Sequence, residues 1–246
     1  MAESNKIYSF PKKTFPENME SDNYPKWNFW QVLFLILIIY FIELALGWLN
    51  PPVWLDNLHD FLHYLFICFG DGFLSVVMVG IFLKLLHMNF SDIGFGNFKF
   101  RHILLGLFAG VLLFLGVGYF GNLLTKVFGE PELQSFALAI DGADAVWQLV
   151  LLVILGGILI PIKEEMIFRG LIFPPLKRAY GSGKGIWITA LFFAAFHFDL
   201  IRFLPIMLGG LVLTWLYNKT SSIIPSIIAH GTWNILMLGL MWMQKS

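Results

Sequence analysis

Cysteine occurs once in this 246-residue chain, at Cys68. A single thiol excludes an internal disulfide framework and any zinc cage built from cysteines, and its apolar neighbours mark it as a packing residue. Charge is scarce as well: 13% of the residues are Asp, Glu, Lys or Arg, sixteen acidic against sixteen basic, so the formal net charge is zero. With no bias of either sign, nothing directs the chain to nucleic acid or to an anionic surface, and any electrostatic chemistry must be local. Internal repeats and low-complexity tracts are also missing, and no stretch has room for a second, soluble domain.

What the chain does have is hydrocarbon. Hydrophobic residues make up 58% of it, and the mean hydropathy of +0.74 lies far on the apolar side of ordinary globular usage. The expected fold is an all-α polytopic membrane bundle. Residues 1–28 mix Lys, Glu, Ser and three prolines and read as a polar cytoplasmic tail. The run "FWQVLFLILIIYFIELALGWL" exceeds a signal-peptide core and lacks a small-residue cleavage site, so it reads as a retained first span. A hydrocarbon layer of about 30 Å needs roughly 20 residues per helix. Further spans on that scale fall near 61–86, 102–126, 146–176, 185–198, 200–217 and 222–243, about seven in all, the fourth long and the fifth short. With a cytoplasmic amino terminus, eleven Lys and Arg residues lie in cytoplasmic segments, against Lys126, Arg202 and Lys245 outside, as the positive-inside bias requires. Residues 29–128 and 146–243 then form amino-terminal and carboxyl-terminal membrane regions.

Within the fourth span, "PIKEEMIFRGLIF" (161–173) carries Lys163, Glu164, Glu165 and Arg169. Each charge at a helix centre costs roughly 2.5–3.5 kcal/mol on the insertion scale, so four would cost about 10 and cannot face lipid. Glu165 and Arg169, four apart, share a helix face within salt-bridge reach. Glu164 is turned about 100° away and lacks that partner. One arginine for two adjacent glutamates leaves a carboxylate available as general base or acid. A structural ion-pair node or a transport pathway would use the same charges.

Two more polar groups bear on that choice. "FFAAFHF" places His197 four residues after Phe193, and "IIAHGTWN" places His230 and Asn234 on one face of the last span. At 1.5 Å per residue, Glu164 lies about 20 Å from the cytoplasmic end of its span, His197 roughly 16–19 Å, His230 roughly 12 Å and Asn234 roughly 18 Å. A glutamate, two histidines and an asparagine in one layer provide a base, a proton relay and hydrogen-bond donors, the parts needed to add water to a carbonyl. Gly156, Gly157, Gly209, Gly210 and Gly231 suit close helix approach, and Pro161 predicts a kink.

These residues resemble the CPBP (Abi) family. "EEMIFR" matches its EExxxR motif, "FAAFH" its FxxxH motif and "HGTWN" its HxxxN motif, in the family's order and in the carboxyl-terminal region. The family joins type II prenyl-CAAX endopeptidases with bacteriocin-processing and immunity-type bacterial membrane proteins. The resemblance implies an intramembrane endopeptidase in a bacterial cytoplasmic membrane, with residues 146–243 as the catalytic domain. It further implies that Glu164 and His197 activate the attacking water, and that His230 and Asn234 stabilise the oxyanion. Glu165, Arg169 and Phe193 would support the site. A metal-free mechanism is expected, since Arg169 beside the carboxylates opposes a dication; a zinc alternative would draw on Glu164, His197 and His230.

The expected partners are the lipid bilayer and a membrane-associated or lipid-modified protein or peptide precursor. The alternative is a non-catalytic immunity or scaffold protein that binds a peptide or membrane partner, with a transporter third. "HDFLH" (59–63) has zincin-like spacing with Asp in place of Glu, and reads as an interfacial helix start rather than a metal site. Trp27, Trp30, Trp48 and Trp54 read as interfacial anchors.

Overall fold

The computed structural model describes residues 25–49, 58–129 and 135–245. Among these residues the chain is helical and carries no strand: α1 (Phe29–Leu49), α2 (Leu58–Leu85), α3 (Phe100–Phe128), α4 (Ser135–Asp141), α5 (Val146–Ile154), α6 (Ile160–Glu165), α7 (Phe173–Ala195), α8 (Phe203–Thr220) and α9 (Ile224–Lys245). Between α5 and α7 the helix does not stop. It passes through two π-helical segments, Leu155–Leu159 and Met166–Ile172, on either side of α6.

The stretch Val146–Ala195 is apolar enough to cross a membrane but twice the needed length. It reverses at Gly181, whose φ of 80° and ψ of 165° suit only a residue without Cβ. In an unbroken helix, residues 177 and 185 would stand about 12 Å apart. Here a Cβ built on Gly185 would lie 3.0 Å from the Lys177 backbone nitrogen, so the two arms fold back on each other. The described residues therefore make seven helical rods: α1, α2, α3, α5 through the first arm of α7, the second arm of α7, α8 and α9. The expected all-α bundle, with a long fourth and a short fifth member, is what the chain forms.

Proline explains the π segments. It has no N–H and its ring crowds the carbonyl four residues back, so a regular ladder cannot run through it. Pro161 follows the first π segment, and Pro174 and Pro175 follow the second. The kink expected at Pro161 is taken up by these wider turns, and the helix runs on. Carbonyls of the π segments meet side-chain donors from elsewhere: Asn234 Nδ2 donates to Gly156 O at 2.8 Å, and Trp27 Nε1 to Leu171 O at 2.9 Å.

Small residues set the close contacts. Gly106 and Gly110 bring α3 against α9, where a Cβ on Gly110 would lie 2.5 Å from Thr232 Cβ. Gly231 brings α9 against the first π segment, its Cβ position only 2.3 Å from Gly157 O. Three apolar clusters surround the charged helix. One joins α1, α2, α7 and the second π segment, another α2, α4, α5 and α9, and the third α3, α8 and α9.

Trp27 departs from the anchor expected of it. Its ring is buried, 3% exposed, and tied to Leu171. Trp30 is exposed on the surface of α1. Residue 54, most of the tail, and the side chains of Trp48, His59 and Asp60 lie outside what the structure describes.

Candidate active site

Glu165 and Arg169 form the expected pair, Arg169 Nη1 donating to Glu165 Oε1 at 2.8 Å with both side chains fully buried. An i,i+4 pair forms here although the helix widens just after Glu165. Arg169 Nη2 also donates to Gly210 O at 3.3 Å. The absence of a side chain at Gly210 gives this region of α8 close contact with Ala190 and Phe193 of α7.

Glu165 Oε1 has a second donor, His230 Nδ1, at 2.9 Å. A carboxylate accepts, so this bond places the proton on Nδ1 and turns Nε2 the other way. Nε2 faces Glu164, whose Oε2 lies 3.8 Å off. The residue left unpaired by the arginine is thus the one opposite the histidine. Glu164 Oε2 and Glu165 Oε2 are buried without a hydrogen-bond partner among the described residues, as is Arg169 Nε. Buried polar atoms are seldom left so, and such groups call for a functional explanation.

His197 sits in the turn that follows α7. Its Nδ1 donates to the Phe193 carbonyl at 2.7 Å, which leaves Nε2 with the lone pair in the neutral ring. The Phe193 ring links it to the charged cluster. Ring centroids stand 4.9 Å from His197 and 5.8 Å from His230, and the Arg169 guanidinium lies 4.4 Å from the Phe193 centroid.

Asn234 is one turn beyond His230 on α9 and is held by the Gly156 carbonyl. One amide hydrogen serves that bond and the second remains available. Glu164, Glu165, Arg169 and His230 therefore meet directly, with His197 attached through Phe193 and Asn234 through the first π segment.

As a metal centre the donor set fits poorly. Among the described residues no three His, Cys, Asp or Glu side chains are placed to hold one ion. The histidines keep Nε2 free for ligation, their Nδ1 atoms being held by Phe193 O and Glu165, but the Arg169 guanidinium hydrogen-bonded to Glu165 beside Glu164 opposes a dication there.

One group escaped sequence reasoning. Asp71 of α2 receives a hydrogen bond from Lys163 Nζ at 2.5 Å, immediately before Glu164 in the chain. An intramembrane lysine without an assigned partner was the available signal, since such charges are rarely left unpaired.

Comparison with known proteins points the same way. Residues 146–236 match the family model described as Type II CAAX prenyl endopeptidase Rce1-like. UPF0177 protein YxdF of Lactococcus lactis is 25% identical over 168 residues, covering 66% of this chain and 90% of that protein. The Bacillus subtilis protein named "Putative membrane peptidase YdiL" is 30% identical over 121 residues, 49% of each chain. No solved structure gives a significant match. The chain is an integral membrane protein, and the part of it that is similar to the Rce1-like family model, residues 146–236, carries Glu164, Glu165, Arg169, His197, His230 and Asn234.

Proposed function

We propose that the protein is an intramembrane endopeptidase that hydrolyses a peptide bond in a membrane-associated or lipid-modified protein or peptide precursor. The observation that carries the proposal is the buried, unpartnered Glu164 Oε2 facing His230 Nε2 at 3.8 Å, beside a glutamate already neutralised by arginine. Arg169 balances one of two carboxylates, so the cluster is neutral when one further proton is shared between Glu164 and His230.

Glu164 acts as the general base, taking a proton from water as its oxygen adds to the scissile carbonyl. His197 Nε2, freed by the Nδ1 bond to Phe193, is the second acceptor for that water. The carbonyl oxygen becomes an oxyanion, stabilised by donors preorganised before the charge develops. His230 Nε2, when protonated, and the free Asn234 N–H supply them. Glu165 accepts from His230 Nδ1 and so holds the imidazole at the correct angle. Collapse of the tetrahedral intermediate breaks the C–N bond, and the proton on Glu164 passes to the leaving amine. No step is routed through a metal, in keeping with the donor set.

The test compares protein termini in membranes from cells with wild-type protein and with Glu164→Gln at equal abundance. New termini that require Glu164 establish proteolysis and identify the substrate. Identical termini, with folded protein in both, replace the enzyme by a peptide-binding scaffold.

A further inference from the structure

The non-motif half of the chain also reaches the charged helix. Lys163 Nζ donates to Asp71 Oδ2 across the α2–α6 contact, with side-chain exposures of 17% and 27%. Next to Asp71, Gly72 lets α2 press onto the first π segment: a Cβ there would lie 2.7 Å from the Leu159 side chain. Ser75, one turn further along α2, is buried with its hydroxyl unpartnered among the described residues. Asp71 lies outside the residues that match the family model.

The reason for such a link lies in α6. It is six residues long, with π-helical backbone on both sides. A continuous i→i−4 ladder fixes how each residue is rotated about the helix axis, and a π turn inserts an extra residue into that ladder. The rotational setting of α6 therefore depends on what its side chains hold. Lys163, Glu164 and Glu165 step around the axis by about 100° each. Glu165 is tied on one side to Arg169 and His230. Lys163 is tied on the other to α2. Glu164 stands between the two tethers.

We propose that Asp71 and Lys163 are a positioning pair, by which the amino-terminal helices set the direction of Glu164 toward His230. The inference rests on Glu164 being the general base. Neither residue touches the reacting atoms; both act through the orientation of α6. Loss of either charge lets α6 rotate, and Glu164 swings away from Nε2. A displacement of about 1 Å at a reacting group costs up to about a hundredfold in rate.

The experiment uses the full-length protein in liposomes, with the substrate identified from the Glu164-dependent termini. Asp71→Asn and Lys163→Met lower kcat by about tenfold to a hundredfold, while KM stays within about threefold. Lys163→Arg keeps the ion pair and keeps kcat. A second readout needs no substrate: modification of Glu164 by a hydrophobic carbodiimide, followed by mass spectrometry at matched folded fraction. Its rate rises by about threefold or more in the two charge-removing variants as Glu164 leaves its sheltered setting, and stays at the wild-type value in Lys163→Arg.

Wild-type kcat in Asp71→Asn and Lys163→Met, alongside an inactive Glu164→Gln, overturns the positioning role and leaves proteolysis standing. A fall in kcat that only mirrors loss of folded protein overturns it as well. Unchanged termini in Glu164→Gln overturn the peptidase reading instead, and the carbodiimide rate alone then decides whether the pair orients Glu164.

Discussion

The guanidinium of Arg169 lies 4.4 Å from the centroid of the Phe193 ring, so a single aromatic side chain holds the arginine of one motif while its own carbonyl holds His197 of another. The same ring packs edge-on to His230. Three motifs, spread along the chain from residue 164 to residue 234, are registered against one residue that does no chemistry. Cation–π contact also helps hold the guanidinium in place away from water.

Phe193→Ala therefore removes more than volume. The cavity term for a buried phenylalanine is about 3–5 kcal/mol, and the variant should unfold at a markedly lower temperature in detergent. Phe193→Leu fills most of the space but lacks the ring face, a loss of about 0.5–2 kcal/mol. It should fold, yet process substrate more slowly than its folded fraction accounts for. Wild-type kinetics in folded Phe193→Leu would show that the ring only fills space.

The Glu165–Arg169 pair has no exposed surface. Removing one partner of such a pair strands a charge and costs about 3–5 kcal/mol, whereas replacing both by apolar residues of like volume is nearly neutral. Arg169→Met and Glu165→Leu should each lower the unfolding temperature more than the double variant does. Equal or additive losses in a double-mutant cycle would mean that the two charges are not coupled. Function should not return in the double variant, because His230 Nδ1 then has no carboxylate to hold it.

How far the sequence reveals this arrangement depends on the range of the contact. Seven rods follow from hydropathy, and the Glu165–Arg169 pair follows from four-residue spacing, since both are local rules. The approach of Glu164 to His230 was legible only as a shared depth; the 3.8 Å contact comes from packing of Gly231 on Gly157, which no local rule specifies. The π turns were hidden for a different reason. Proline announces that the ladder must change, but whether the helix bends or widens depends on which groups take up the carbonyls, here Asn234 and Trp27. Trp27 looked like an interfacial anchor because an indole beside a polar tail usually is one. Asp71 is 92 positions from Lys163, and an aspartate in an apolar helix does not name its partner.

Gly231 makes a steric prediction. A Cβ at this position would lie 2.3 Å from Gly157 O, which is backbone and cannot rotate away. Gly231→Ala must push α9 off the first π segment, moving His230 from Glu164 and Asn234 from Gly156. Overpacking of this kind typically costs about 1–3 kcal/mol. Gly239 lies two turns on along α9 with nothing near its Cβ position, so Gly239→Ala should gain the helix propensity difference of about 1 kcal/mol. Thermal unfolding of the two variants side by side checks the contrast, and a stable, active Gly231→Ala would refute the close approach.

Asn234 separates a structural bond from a catalytic one. Its Nδ2 donates to Gly156 O, and removing a neutral hydrogen bond of this sort costs about 0.5–1.5 kcal/mol of stability. If its second N–H serves the oxyanion, removing it should cost a further factor of about 10²–10³ in kcat. Asn234→Ala is thus expected to fold with a small drop in unfolding temperature and to lose nearly all processing, with KM little changed. Asn234→Asp places a carboxylate against the Gly156 carbonyl and supplies no donor, so it should be both less stable than Asn234→Ala and inactive. Measured together, unfolding temperature and kcat decide the role: a rate loss no larger than the loss of folded protein would make Asn234 a tie between α9 and the π segment, and would leave His230 as the donor to the oxyanion.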